Sequence, residues 1–153
     1  MNSHSISFKI TSREIAYAIL DKQRLLFWEV HSSVSDHNAA GKHAVNAAFR
    51  FERFNITAAV LVRSRTSDTD ARYSRVKAAL RDRGVPIFEI NEQEVLESFN
   101  FTSFEDQHEL CRAAAPLFPQ IQFARFMYPC LEAAAFSLYF ETNRLLSINT
   151  PLE

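Results

Sequence analysis

The chain has 153 residues, 47% of them hydrophobic and 23% charged, which suits one globular domain spanning residues 1–153 with enough apolar material for a core that needs no disulfide or metal staple. Its net charge is −1 and its pI is about 6.5, a balance that argues against tight, nonspecific DNA binding driven by a basic excess.

The first third reads as strands. Ile6, Phe8 and Ile10 alternate with Ser5, Ser7 and Lys9, the period of a half-buried strand. After a break at Thr11–Ser12–Arg13, Ile15, Tyr17 and Ile19 continue the alternation. Asp21–Lys22–Gln23 is a polar turn, and Leu25 to Val30 forms a third strand. Short connections make the three an antiparallel meander. The pattern then changes to helical spacing. Asp36 or Asn38 can cap a helix carrying Ala40, Ala44, Ala47, Ala48 and Phe51. Ile56 to Val62 is a continuous apolar run, typical of a strand buried on both faces. Asp70 can cap a second helix with Tyr73, Val76 and Leu80 on its apolar stripe and Gly84 to end it. Val85 to Ile90 is the next buried strand. Asn91 with Glu94 can cap a short helix through Phe99. Ser103 with Asp106 can start another, through about Leu117. Pro129 suits the first turn of a last helix reaching Glu141.

The order β-β-β-α-β-α-β-α-α, with the number of helices near the end left open, implies an α/β class: a mixed five-stranded sheet, made of a three-strand antiparallel meander plus two parallel strands, with helices on both faces. It is similar to the RNase H-like order. A flavodoxin-like sheet needs a helix after the first strand, and none fits before His31. Two glycines against fourteen phenylalanines imply an aromatic core and connections made without glycine. Cys111 and Cys130 have no recognisable spacing and read as small core residues in a reducing compartment. The start MNSHSISFKI has no signal pattern, and the apolar stretch Leu131–Phe140 is too short to span a bilayer, so a cytoplasmic protein with no membrane contact is expected.

Five segments resemble RuvC-type Holliday-junction resolvases. Ile15-Ala-Tyr-Ala-Ile-Leu-Asp21 resembles the family's second strand, a TGYAVLD-like run. Arg83-Gly-Val-Pro-Ile-Phe-Glu-Ile90 resembles its fifth strand, and Asn91-Glu-Gln-Glu-Val-Leu-Glu97 the helix after it. Phe104-Glu-Asp-Gln-His-Glu-Leu110 and Glu132-Ala-Ala-Ala-Phe-Ser-Leu138 resemble its later helices. The five fall in the family's order across roughly residues 5 to 140.

The resemblance implies two-metal cleavage of phosphodiesters, held by one acid on the first strand, one ending the fourth, and two on the last helix about one turn apart. At the first of these positions stands Lys9, which is either a solvent-facing strand residue or an ammonium mimicking the cation. At the second stands Val62 or Arg63. On the last helix only Glu132 remains, with Pro129 and Ala135 one turn away. Glu141 is nine residues on, about 180° around the helix. Glu132 is thus a lone vestigial catalytic candidate or a helix N-terminal acid favoured by the dipole. No resident metal or other cofactor is expected; Mg²⁺ enters only if a divergent nuclease uses Glu132 with Asp68 or Asp70. His37 and His43 are six apart, off any shared helical face.

Charge is segregated. From Arg63 to Arg83 seven Arg or Lys stand against three Asp, net +4; from Gly84 to Leu110 there are seven acids and no Lys or Arg, net −7. Lys9, Arg63, Arg65, Arg72 and Arg75 are the candidate nucleic-acid contacts, against a reading of the basic helix as a solvated or self-complementary face. The resemblance also places that helix at a homodimer interface. The expectation is a catalytically degenerate RuvC-like domain, a homodimer binding branched DNA or a protein partner without being an enzyme. Its rivals are a Mg²⁺-dependent structure-selective endonuclease and a purely structural partner protein.

Overall fold

Alternation in the first strand sorts its side chains onto two faces, and the rest of the fold follows from that sorting. The computed structural model describes residues 3–11, 13–32, 40–50, 53–63, 71–99 and 109–149. Strands β1 (His4–Ile10), β2 (Glu14–Asp21), β3 (Arg24–Ser32), β4 (Ile56–Arg63) and β5 (Ile87–Asn91) form one sheet in the order β3-β2-β1-β4-β5. β1 runs antiparallel to β2 and β2 to β3, while β4 pairs parallel with both β1 and β5. The two-residue connection between Asp21 and Arg24 needs a left-handed residue, and with no glycine nearby Lys22 takes it at φ 57°.

One face carries Ile6, Phe8, Ile15, Tyr17 and Ile19. Helices α1 (Ala40–Ala48) and α2 (Ala71–Asp82) cover it, with Ala44, Val45, Ala48, Tyr73, Val76 and Leu80 fully or nearly buried against it. α1 and α2 approach so closely that a Cβ on Gly41 would lie 2.9 Å from Arg75 Cβ and 3.0 Å from the Val76 nitrogen. The other face carries Ala16, Ala18 and Leu20 beneath α3 (Glu92–Ser98), α4 (Glu109–Ala114) and the long α5 (Tyr128–Asn149). Small residues there, Ala133, Ala134 and Ala135, let α5 sit close across β1 and β2. Ser7 on β1 and Ser137 on α5 hydrogen-bond between them.

Several expectations are corrected. β5 is not buried on both faces: it is one of the sheet's two edge strands, with Phe88 44% exposed. It starts at Ile87, since Pro86 has no N–H for the ladder and only accepts from the Ala59 N–H at 2.9 Å. α5 continues past Glu141 to Asn149, because neither glycine nor proline interrupts it until Pro151. α4 does not continue to Leu117: at Pro116 the chain tightens into a 3₁₀ turn, Ala115–Leu117. Asn91 does cap α3, accepting from the Gln93 N–H at 2.9 Å. The expected caps Asp36, Asn38, Asp70, Ser103 and Asp106 lie outside the described residues.

Candidate functional site

β1, β4 and β5 run parallel, so their carboxyl ends share one edge of the sheet, where open α/β sheets hold their ligands. Lys9 stands at the end of β1. Because Phe8 points to the α1/α2 face, Lys9 points the other way, under α5. Its Nζ lies 2.8 Å from Glu132 Oε2 and 3.8 Å from an oxygen of Glu92, at the start of α3. It also lies 5.7 Å from the ring centre of Phe136, one helical turn beyond Glu132. The other Glu132 oxygen is 3.6 Å from Cys111 Sγ on α4, and that thiol also reaches the Tyr128 carbonyl. Four elements, β1, α3, α4 and α5, thus converge on one ammonium–carboxylate pair.

The side chains of Lys9 and Glu132 are only 23% and 15% exposed. Burial works to lower the Lys9 pKa, but the charges of Glu132 and Glu92 outweigh it and hold the ammonium above its ordinary value. Burial pushes the Cys111 thiol well up, and the Glu132 charge beside it adds to that, so it stays protonated. Lys9 is therefore not the solvent-facing residue that strand alternation allowed. Nor does Glu132 stand alone: Glu92 is a second carboxylate on the same ammonium. In the sequence Glu92 was hidden among the acids of the −7 segment. Its signal was the position directly after a strand-end helix cap, Asn91.

At the end of β4 the two candidates separate by face. Val62 packs into the α5-side core, level with Lys9, while Leu61 lies in the α1/α2-side core. Arg63 is on the α2 side, its Nε 3.6 Å from Glu89 Oε2. Glu89 also accepts from the Tyr73 hydroxyl at 2.8 Å and pairs with Lys77. Val62 is therefore the β4 residue on the Lys9–Glu132 face, and it brings no oxygen.

The remaining expected residues are scattered. Arg75 is exposed on α2 with its Cβ against α1, Arg72 is half-buried one turn earlier, and Arg65, Asp68 and His37 lie outside the described residues. Arg63 and Lys77 share Glu89, so part of the basic segment is neutralised within the fold. Pro129 and Ala135, one turn from Glu132, are buried, and His43 is exposed on α1. Glu141 is 95% buried, well along α5 from this site.

A two-metal centre needs several oxygens converging on a space that no cation fills. Here the Lys9 ammonium lies against both Glu132 and Glu92, and Val62, the residue near the end of β4 on the same face, has an apolar side chain. Among the described residues no three His, Cys, Asp or Glu side chains are grouped to hold a metal ion. Among the described residues, the side chains around Lys9 do not make up a two-metal centre.

No protein-family model matches the chain, and no curated protein is significantly similar to it in sequence. Solved structures are similar in fold. Thermus thermophilus RuvC superposes with a TM-score of 0.70 at 15% identity, covering 93% of this chain and 96% of that one. T. thermophilus RuvC in complex with a Holliday junction substrate gives 0.68 at 16% identity, with 98% of each chain covered. The fowlpox virus Holliday junction resolvase gives 0.61 at 11% identity, covering 92% of this chain and 99% of that one. The fold is thus the RNase H-like fold of the RuvC resolvases, with its mixed five-stranded sheet and helices. No helix among the described residues is long and apolar enough to cross a membrane.

Proposed function

We propose that this chain is a catalytically degenerate RuvC-like domain that binds branched nucleic acid as a homodimer, without cutting it. The observation that carries the reading is Lys9: its ammonium lies 2.8 Å from Glu132 and 3.8 Å from Glu92, at the carboxyl ends of the parallel strands. An ammonium there offsets one of the two carboxylate charges and repels a divalent cation. Both oxygens of Glu132 already have a partner, one Lys9 and the other the Cys111 thiol, and these compete with a metal for them. The fold likeness to resolvases, one of them in complex with a Holliday junction substrate, supports branched DNA over other ligands.

Two measurements test this. Fluorescence anisotropy on four-way junctions at rising salt should show binding that weakens steeply with salt. Incubation of those junctions and of flaps with Mg²⁺ or Mn²⁺ should leave them intact. Metal-dependent cutting that disappears in Glu132→Ala overturns the degenerate reading and favours a nuclease. Absence of binding at low salt overturns the nucleic-acid reading and leaves a protein partner.

A further inference from the structure

We propose that the segment between α4 and α5 is a stacking platform for unpaired nucleobases, set beside the Lys9–Glu132 pair. This rests on the nucleic-acid reading above and names the part of the ligand this face would take. Leu117, Phe123 and Phe126 are 52%, 51% and 58% exposed, and they fall within ten residues of one another. Large apolar side chains this exposed and this close together mark a contact surface.

The segment presents the Phe123 and Phe126 rings from a fixed backbone. Phe118 and Ile121 are buried beneath it. The Phe118 N–H donates to the Ala114 carbonyl, the Ile121 N–H to that of Phe118, and the Met127 N–H to that of Ala124. Phe123 packs on Tyr128, ring centres 5.3 Å apart. The exposed rings are therefore held out by buried neighbours, not left over from a poorly packed core.

Charge decides what they face. From Cys111 to Leu131 there are two arginines, Arg112 and Arg125, and no acid, directly after a stretch of net −7. Both arginines are exposed, and Arg125 stands between Phe123 and Phe126. Aromatic faces with a guanidinium group between them suit bases joined by phosphates, because every base has a π-face and every linkage an anion. The face also adjoins the carboxyl-end site: the carbonyl of Tyr128, Phe123's stacking partner, is reached by the Cys111 thiol that touches Glu132. A backbone passing Lys9 would bring its unpaired bases onto these rings.

The test compares wild type, Phe123→Ala/Phe126→Ala and Phe126→Trp by anisotropy on a four-way junction, a single-stranded flap and a fully paired duplex. Circular dichroism and thermal melts confirm that the variants fold, as expected for exposed positions. Stacking predicts that the double variant loses about tenfold or more on the flap, with duplex affinity and salt slope unchanged, and that Phe126→Trp binds at least as tightly as wild type. If wild type binds the flap and the double variant binds it equally, the platform is overturned while the nucleic-acid reading stands. If wild type binds none of the three, that reading fails and the platform with it. If only the oligomeric state changes in the double variant, by light scattering, the face is a self-association surface and the platform is overturned.

Discussion

Lys9 and Glu132 are 123 positions apart in the chain, yet their charged atoms lie 2.8 Å apart beneath α5. The pair joins the end of β1 to the helix that crosses it, and Glu92 draws α3 to the same point. Such a pair holds a fold together best when both members are present, since Glu132 alone loses the ammonium it faces and Lys9 alone keeps only the more distant Glu92.

Lys9→Met should therefore cost about 1–3 kcal/mol of stability in urea denaturation, and Lys9→Met with Glu132→Leu should recover much of that loss. If the two single losses simply add in the double variant, Lys9 and Glu132 are not coupled. The pH dependence has a definite sign. The native Lys9 pKa is raised above its ordinary 10.5, so the pair's contribution is fully present below 10.5 and is lost as pH rises through the higher native value.

Lys9→Asp reverses the charge and sets a third carboxylate beside Glu132 and Glu92. Without divalent metal the variant should melt below wild type. Added Mn²⁺ should raise its Tm, while wild type stays unmoved and EDTA abolishes the gain. An equal response to Mn²⁺ in both proteins would show that the ammonium is not what excludes a cation.

Glu89 ties the edge strand β5 to α2. The Lys77 hydrogen bond is the main cause holding its carboxyl below the ordinary 4.5; burial opposes it, and Tyr73, with the Lys77 and Arg63 charges, reinforces it. A depressed native pKa stabilises above the unfolded value and is lost as pH falls through the native one. Glu89→Gln should thus be less stable than wild type at pH 7, with the gap closing toward pH 3. A urea-midpoint gap that stays constant over that range contradicts the ion-pair role.

Gly41→Ala should destabilise by about 1–3 kcal/mol although alanine favours helices, because the added Cβ meets Arg75 and the α2 backbone at 2.9–3.0 Å. Backbone cannot give way as a side-chain end can. A melting temperature at or above that of wild type would show that α1 shifts without cost.

The two-residue and helical periods of the side chains were legible directly. They marked the meander, the apolar β4 run, the Tyr73–Val76–Leu80 stripe and the start of α5 near Pro129, because burying one face leaves a local pattern. β5 misled, since an apolar run reads the same at the centre of a sheet and at its edge, and only strand order distinguishes them. The end of α5 was missed because four polar residues, Glu141 to Arg144, interrupt the apolar pattern, although no helix breaker follows before Pro151.

Residue type and order alone marked the five strands in order, the helices between them, the resolvase-like arrangement of five segments, and a lysine near the end of the first strand. Those are local properties, written in hydrophobic period and side-chain chemistry. Tertiary structure decided what Lys9 does. The parallel pairing of β1, β4 and β5 sets their ends level, Val62 rather than Arg63 turns toward α5, and Glu92 arrives from a segment 83 residues away. Whether a lysine faces solvent or pairs with two carboxylates depends on which distant elements pack over it, and no periodicity along the chain records that distance.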